Sequence, residues 1–215
     1  MKRQLHQSLI EWKRSTLRKP LLLQGARQVG KTYLLKQFAA DAYQDYVYCN
    51  FEETPQLIEL FSGELNPHKL IENLSFYAGK KIQPSTTLII FDEVQLAERA
   101  ITSLKYFCEQ ANEFHVVAAG SLLGVSVCQS TSFPVGKVNF LHLYPLNFLE
   151  YLAALGETML CELLQNKTDF SPLAIPIHDK LTDYFKIFLY IGGMPEVVAN
   201  YINYQDIEQV AQLKR

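Results

Sequence analysis

The stretch PLLLQGARQVGKTYLL, from Pro20 to Leu35, decides the fold class of this chain. Its three consecutive leucines predict a short buried strand, and a glycine-containing turn leads from that strand into a predicted helix at about Lys31–Ala40. The turn, Gly25–Thr32, matches the pattern G-x-x-x-x-G-K-[ST] at every specified position. A strand, this turn and a helix in this order predict a phosphate-binding loop.

The residue types of the turn explain why it suits phosphate. Glycines let the backbone curl so that several N–H groups face one concave site, and the helix directs its positive dipole end there. Lys31 can reach the β- and γ-phosphate oxygens, and the Thr32 hydroxyl can serve Mg²⁺. The residues expected to bind the nucleotide form one run: Gly25, Ala26, Arg27, Gln28, Val29, Gly30, Lys31, Thr32 and Tyr33.

A second stretch, LIIFDE at Leu88–Glu93, supplies two acids at the end of a predicted buried strand. Parallel α/β sheets place their ligands at the carboxyl ends of strands, so Asp92 is expected near the phosphate loop. Asp92 can hold Mg²⁺ through water alongside Thr32, and Glu93 can orient and deprotonate an attacking water. An apolar strand that ends in two acids is usually structural by itself, but about sixty residues after a complete phosphate loop it indicates a hydrolytic site.

Further strand candidates alternate with predicted helices along the chain. Strands that are continuous apolar blocks and alternate with helices indicate a mostly parallel sheet covered on both faces. The predicted class is therefore α/β, with a central five-stranded sheet in a core over residues 1–145 and a helical segment over residues 146–215. The predicted strands are Leu21–Gln24, Asp45–Phe51, Thr87–Phe91, His115–Ala119 and Lys137–Leu143, and the predicted core helices are Lys31–Ala40, Pro55–Phe61, Pro67–Ala78 and Ala97–Ala111.

Composition limits the function classes. The chain has 215 residues, of which 48% are hydrophobic and 20% charged, as in globular proteins with a substantial core. Its formal net charge of −2 provides no electrostatic case for nucleic acid or an anionic membrane. Four dispersed cysteines, at positions 49, 108, 128 and 161, are typical of reduced thiols and favour a cytoplasmic location. The basic N-terminal segment has no apolar core of a secretory signal, and its stripe of Leu5, Leu9, Trp12 and Leu17 favours a packing helix over a transit peptide.

Six blocks of sequence, taken together, resemble one family. GARQVGKTYLL, LIIFDEVQ, AAGSLLG, VGKV, LYPLNFLEYL and GGMPEVV follow one another between about Leu5 and Val198. In this order they resemble the prokaryotic AAA-like P-loop ATPases that carry a C-terminal domain of unknown function. The first two blocks occur widely among NTPases, whereas PLNFLEYL and GGMPEVV are much more specific to this family.

The resemblance implies an AAA-like P-loop NTPase core with Mg-ATP as its ligand. It implies that the phosphate-loop strand is central in the sheet and that the acidic strand lies beside it. Ser121 matches the polar position that senses the γ-phosphate, although it could equally cap a helix that starts at Leu122, and both roles are compatible. The expected catalytic residues are thus Glu93, Lys31 and Ser121, and the expected metal-binding residues are Thr32 and Asp92.

The chain departs from the family pattern in two ways. The family commonly has an arginine in the G-[RK]-V step where this chain has Lys137, and a lysine lacks the bidentate fork that suits a phosphoryl oxygen. If that position acts in trans, turnover is expected to be slow; a solvated cation at a strand start is the alternative. Family members also continue beyond GGMP, so this chain is expected to be the N-terminal ATPase portion of a longer protein or a truncated relative.

Three other features have weaker claims on function. Arg27 could contact phosphate or a neighbouring subunit, but a loop residue of this kind more often points into solvent. Gln95 has the chemistry to bind the attacking water or relay the nucleotide state, although a plain surface position is favoured. Gly192-Gly193 followed by a proline indicates that one helix stops and another begins.

These observations predict an ATPase that couples nucleotide state to conformational change. The alternatives are a nucleotide-gated switch or assembly module that rarely hydrolyses, and a DNA-associated motor or loader; a small-acceptor kinase ranks last because two acids suit an activated water. The expected ligands are ATP, ADP and Mg²⁺. A homo-oligomer, an unidentified protein partner and nucleic acid stay open, although charge does not support nucleic acid, and no membrane is expected.

Overall fold

The computed structural model describes residues 1–121 and 133–205. Two compact units are distinguished by their internal contacts. The first, called the core unit, is Leu5–Leu143, and the second, called the helical unit, combines Met1–Gln4 with the described residues from Tyr144 onward. The division into domains 1–145 and 146–215 stays a prediction. The expected helix start at Leu122, Cys128 and the last ten residues of the chain lie outside the described residues.

A parallel sheet occupies the centre of the core unit. Its described strands lie in the order β2-β3-β4-β1-β5, and every neighbouring pair is parallel. The predicted α/β class with a five-stranded parallel sheet is therefore confirmed. The strands are β1 (Leu21–Gly25), β2 (Asp45–Asn50), β3 (Thr87–Asp92), β4 (His115–Gly120) and β5 (Asn139–Leu143).

Continuous apolar runs explain why these strands lie inside. Every residue of β3 and of β4 is buried, and the three leucines of β1 are fully buried as well. A strand covered on both faces by helices gains burial at each position, so it has no reason to alternate apolar with polar residues. The sheet thereby holds the carboxyl ends of β1, β3 and β4 at one rigid edge.

The strand order corrects two expectations. The acidic strand β3 does not lie beside the phosphate-loop strand β1, because β4 pairs with both and separates them. Neither is β1 the middle strand, since it is fourth of the five and has β5 as its outer neighbour. Composition could not reveal this order, because β3 and β4 are equally apolar and equally buried, so either could stand next to β1.

Helices cover the sheet in the core unit. The N-terminal stripe forms a helix with Leu9 and Trp12 buried, but Leu17 lies beyond its end and is 84% exposed, so its inclusion in the stripe was wrong. Pro55–Phe61 is a 3₁₀ helix, and a second short 3₁₀ turn, Val94–Leu96, follows β3. The α-helices are α1 (Leu5–Arg14), α2 (Lys31–Ala42), α3 (Pro67–Ala78) and α4 (Glu98–Gln110).

The sequence blocks PLNFLEYL and GGMPEVV contact each other in the helical unit. Gly193, after the break at Gly192, approaches the backbone of Leu146 so closely that a Cβ would lie 2.1 Å from the Leu146 carbonyl oxygen. The Leu146 N–H donates to the Gly193 carbonyl at 2.7 Å, so only glycine fits this contact. The helices are α5 (Phe148–Ala154), α6 (Thr158–Asn166), α7 (Ile175–Ile191) and α8 (Pro195–Tyr204). No helix in the described part of the chain combines the length and apolar composition needed to cross a bilayer.

Candidate functional site

The loop between β1 and α2 begins at a glycine that packing requires. Gly25 is paired with Leu143 of β5, and a Cβ on Gly25 would lie 2.3 Å from the Leu143 carbonyl oxygen and 3.1 Å from a methyl of Val29. The first glycine of the motif therefore allows close approach to the neighbouring strand. Any larger residue would push the loop away from the sheet edge.

The loop backbone turns through two left-handed residues. Gln28 has φ 65° and Gly30 has φ 90°, and Gly30 is the N-cap of α2. No side chain caps this helix, and no acidic residue lies in its first turn. The first N–H groups of α2 therefore keep their hydrogen-bonding capacity, and the positive end of the helix dipole is not compensated, which suits an anion. Val29 is fully buried and anchors the loop from beneath.

Lys31 folds back over the loop that precedes it. Its Nζ donates to the carbonyl oxygens of Gly25 at 3.0 Å and Ala26 at 2.8 Å, and the residue is only 6% exposed. Burial lowers the pKa of the Lys31 ammonium, while the nearby carboxylates of Glu93 and Asp92 oppose that change. A phosphate group that enters the loop can replace these two carbonyl partners with charged oxygens, which form stronger hydrogen bonds.

Thr32 and Asp92 meet although sixty positions separate them in the chain. The Thr32 hydroxyl donates to Asp92 Oδ2 at 2.5 Å, and Asp92 is almost completely buried. The other Asp92 oxygen accepts the N–H of Glu93 at 3.0 Å. A hydroxyl and a carboxylate that converge beside a phosphate loop are the oxygen donors that Mg²⁺ prefers, so these residues fit the expected metal.

Two residues of β2 that no sequence motif singled out complete this cluster. The Tyr48 hydroxyl donates to the same Oδ2 of Asp92 at 2.9 Å, and the Asn50 amide donates to the Tyr48 oxygen at 3.2 Å. Burial and the Asp92 carboxylate raise the pKa of Tyr48, which therefore stays protonated and keeps donating. The β2 sequence DYVYCN shows one signal that could have found them, because Tyr48 and Asn50 are two apart and so lie on one face of the strand.

Glu93 is held in a tight turn directly after β3. It has φ 51° and ψ 42°, a left-handed conformation that a glutamate adopts only where its surroundings impose it. Its Oε2 accepts a hydrogen bond from the amide nitrogen of Gln95, which also lies 3.4 Å from Ser121 Oγ. The structure thus joins Glu93 and Ser121 through Gln95, which is half-buried rather than the plain surface residue that was favoured.

The other predicted positions lie further from this cluster. Arg27 is mostly exposed and sits 3.4 Å from Glu52, in agreement with the solvent-facing alternative. Tyr33 points outward from α2 and is 58% exposed. Lys137 forms an ion pair with Glu109 at 2.9 Å, just before β5, and both side chains are partly exposed. The roles of all these residues stay predictions.

Comparison with known proteins finds a matching family model and similar solved structures. A family model described as an AAA domain matches residues 17–152, which is more than half of the chain. A search of curated proteins found no significant match. A solved structure of the Walker-type ATPase PABY2304 of Pyrococcus abyssi is similar, with a TM-score of 0.57 and 15% identity over 98% of this chain and 70% of that one.

Two further structures share the fold. PCH-2 of C. elegans has a TM-score of 0.51 and 18% identity, over 91% of this chain and 61% of its own. AMPPCP-bound DnaA from Aquifex aeolicus has a TM-score of 0.50 and 15% identity, over 97% of this chain and 63% of its own. This chain therefore spans less than two thirds of the PCH-2 and DnaA chains. Identities this low establish the common fold and nothing more.

Proposed function

Because this chain belongs to the AAA domain family, we propose that it binds Mg-ATP and hydrolyses the bond between the β- and γ-phosphates. The observation that carries the proposal is the 2.5 Å hydrogen bond from Thr32 to Asp92. It brings the phosphate loop and the acidic strand together in one buried cluster, which a phosphate-binding turn alone would not need. The AMPPCP in the similar DnaA structure supports an adenine nucleotide as the ligand, since AMPPCP is an analogue of ATP.

The loop residues account for binding. The uncapped N–H groups at the start of α2 donate hydrogen bonds to phosphate oxygens, and the Lys31 ammonium exchanges its two carbonyl partners for phosphate oxygens. Thr32 and Asp92 would hold Mg²⁺, which supplies positive charge to the phosphate oxygens when it is bound. Positioning and charge stabilisation of this kind provide most of the catalysis in phosphoryl transfer.

The turn after β3 accounts for hydrolysis. Glu93 orients a water molecule and accepts its proton as the water oxygen bonds to the γ-phosphorus. The bond from that phosphorus to the bridging oxygen breaks, and its electron pair leaves on ADP. The proton then passes from Glu93 to the released phosphate, which restores the carboxylate. Gln95 links Ser121 to Glu93, which supports a role for Ser121 in sensing the γ-phosphate.

The first experiment is steady-state phosphate release from Mg-ATP by the wild-type chain and by Glu93→Gln, over a range of protein concentrations. We expect the substitution to lower kcat by about 1,000-fold and to leave the affinity for Mg-ATP unchanged. Glu64→Gln is the control, because Glu64 is an exposed glutamate outside the cluster and its substitution should change nothing. Equal phosphate release by the wild type and Glu93→Gln would contradict the proposal.

A nucleotide-gated switch is the second candidate, and Lys137 favours it. That cation already pairs with Glu109 and lacks the fork of an arginine, so it is poorly suited to stabilise a transition state in a neighbouring subunit. Turnover that rises steeply with protein concentration would indicate an oligomeric ATPase. Tight Mg-ATP binding with barely measurable, concentration-independent turnover would instead indicate the switch.

A further inference from the structure

The amide group of Gln95 lies between two residues of the proposed site, Glu93 and Ser121. Its nitrogen donates to Glu93 Oε2 and lies 3.4 Å from Ser121 Oγ, so one NH₂ group connects the acid at the end of β3 with the serine at the end of β4. An amide nitrogen carries two hydrogens, one for each partner. The side chain of Gln95 thus joins the ends of the neighbouring strands β3 and β4.

The chemistry of its partners sets the orientation of the amide. An ionised carboxylate can only accept hydrogen bonds, so the NH₂ group of Gln95 must face Glu93 and the carbonyl oxygen must face away. That oxygen, Oε1, is buried and has no hydrogen-bond partner among the described residues. A buried acceptor without a partner has lost its hydrogen bonds to water and therefore lowers stability. Gln95 is therefore a poor choice for stability at this position.

The turn around Gln95 is rigid. Val94 is fully buried beneath it, the Leu96 N–H donates to the Glu93 carbonyl at 3.0 Å, and the Ala97 N–H donates to the Val94 carbonyl at 3.0 Å. The left-handed backbone of Glu93 starts this turn and directs the side chain of Gln95 back towards the acid. A glutamine held in this way fixes the rotamer of Glu93 at little entropic cost.

We propose that Gln95 is a positioning residue for hydrolysis, which holds the Glu93 carboxylate in its reactive orientation and ties it to Ser121. The inference rests on the proposed function and deepens it, since it names the residue through which the serine and the acid act together. Gln95 acts through Glu93, and the nucleotide is held by the loop residues. Substitution of Gln95 should therefore slow the chemical step without weakening nucleotide binding.

The test compares Gln95→Met with the wild-type chain in kcat, in Mg-ATP affinity and in thermal unfolding. We expect kcat to fall about 10- to 100-fold, the affinity to stay within about twofold, and the melting temperature to stay equal or rise, because methionine removes the unpaired buried oxygen. Gln95→Glu keeps the shape but removes both donors, so it should lose at least as much activity. Gln83→Met, at an exposed glutamine outside the site, is the matched control.

A double-mutant cycle tests the connection to Ser121. If both residues act through one hydrogen-bonded chain, Gln95→Met should lower kcat much less in a Ser121→Ala background than in the wild type. Equal effects in the two backgrounds would overturn the connection. If Glu93→Gln still abolishes turnover, two results for Gln95→Met would overturn the positioning role alone. One is a kcat within twofold of the wild type, and the other is a loss of kcat that follows a fall in melting temperature. A wild type no more active than Glu93→Gln would overturn both the proposed function and this inference.

Discussion

Two buried carboxylate clusters, one in each unit, differ in the chemistry of the groups that surround the carboxylate. In the helical unit, Glu150 Oε1 accepts from Arg3 Nε at 3.1 Å and from the Gln4 N–H at 2.8 Å, and its Oε2 accepts the Asn147 N–H at 3.2 Å. Asn147 in turn accepts the Glu150 N–H in a capping box at the start of α5. Both ends of this ion pair are more than nine-tenths buried, and both carboxylate oxygens are in use.

The cluster around Asp92 and Glu93 in the core unit is built differently. Asp92 Oδ2 accepts hydrogen bonds from two hydroxyl groups, and a metal ion could bind this oxygen beside them or in their place. The buried oxygen of Gln95 has no hydrogen-bond partner among the described residues. The negative charge of Glu150 is balanced by a buried cation, whereas the hydroxyl donors of Asp92 are neutral and leave its charge available to a cation such as Mg²⁺. Burial of a carboxylate alone therefore does not distinguish the two clusters, but the charge of its partners does.

Removal of Glu150 should have the largest effect on stability, because it takes away the carboxylate that balances the charge of the buried Arg3. Glu150→Ala is expected to lower the free energy of unfolding by about 3–5 kcal/mol, measured by urea titration. Asp183→Ala is the control, since its ion pair with Lys186 is exposed and should not change stability. A loss no larger than that of the control would mean that pairing with a buried arginine does not indicate a structural role.

The opposite result is expected for the buried cation of the site. Lys31→Met should weaken Mg-ATP binding by about 100-fold, or about 3 kcal/mol, because it removes a charge-assisted hydrogen bond to phosphate. The urea midpoint should stay the same or rise, since methionine fills the volume without a buried charge. Equilibrium binding of a fluorescent ATP analogue measures the first effect, with the exposed Lys69→Met as the control. Unchanged affinity would remove Lys31 from the site.

A neutral pair in the core unit, the buried His115 and the partly buried Tyr43, adds a group that titrates to the comparison. His115 Nδ1 lies 2.7 Å from the Tyr43 hydroxyl, and burial together with Arg18 and Lys13 lowers the pKa of His115 from 6.5 to about 4. The unfolded chain binds a proton between these two values and the folded chain does not, so the stability present above pH 6.5 is lost as the pH falls to about 4.

The size of this effect can be measured with a substitution. His115→Asn should reduce the acid-induced loss of unfolding free energy by about 2 kcal/mol between pH 6.5 and 4, as followed by urea titrations at each pH. His68→Asn is the control, because His68 is exposed. A slope against pH that is the same in His115→Asn and the wild type would assign the acid sensitivity to other groups.

The smallest expected effect concerns Tyr48, which supports Asp92 without holding phosphate itself. Tyr48→Phe should raise the Mg²⁺ concentration needed for half-maximal ATP turnover by about tenfold and leave kcat at saturating Mg²⁺ nearly unchanged. Tyr46→Phe is matched in type and strand but does not contact Asp92. A Mg²⁺ dependence identical to the wild type would show that Thr32 and the backbone hold Asp92 well enough alone.

Local sequence was sufficient to predict the phosphate loop and the acidic strand. Three leucines before a glycine-marked turn, and four apolar residues before Asp92, are decided by short-range rules: strand propensity, the φ values that glycine permits, and helix initiation at Lys31. The same short-range rules predicted five strands and most of the core helices. The assignment of Leu17 to the buried stripe was wrong because the helical spacing of apolar residues continues in the sequence beyond the end of the helix.

Local sequence patterns were thus enough to predict an α/β core, a phosphate-binding turn, two acids at a strand end and a helical segment after the last strand. Three features depend on tertiary packing: β4 separates β1 from β3, Tyr48 reaches Asp92, and Gln95 joins Glu93 to Ser121. Short-range geometry fixes what a segment becomes, because each residue's backbone preferences act on its near neighbours. Which segments then lie side by side depends on packing free energy summed over the whole chain, and equally apolar strands carry no label for their neighbours.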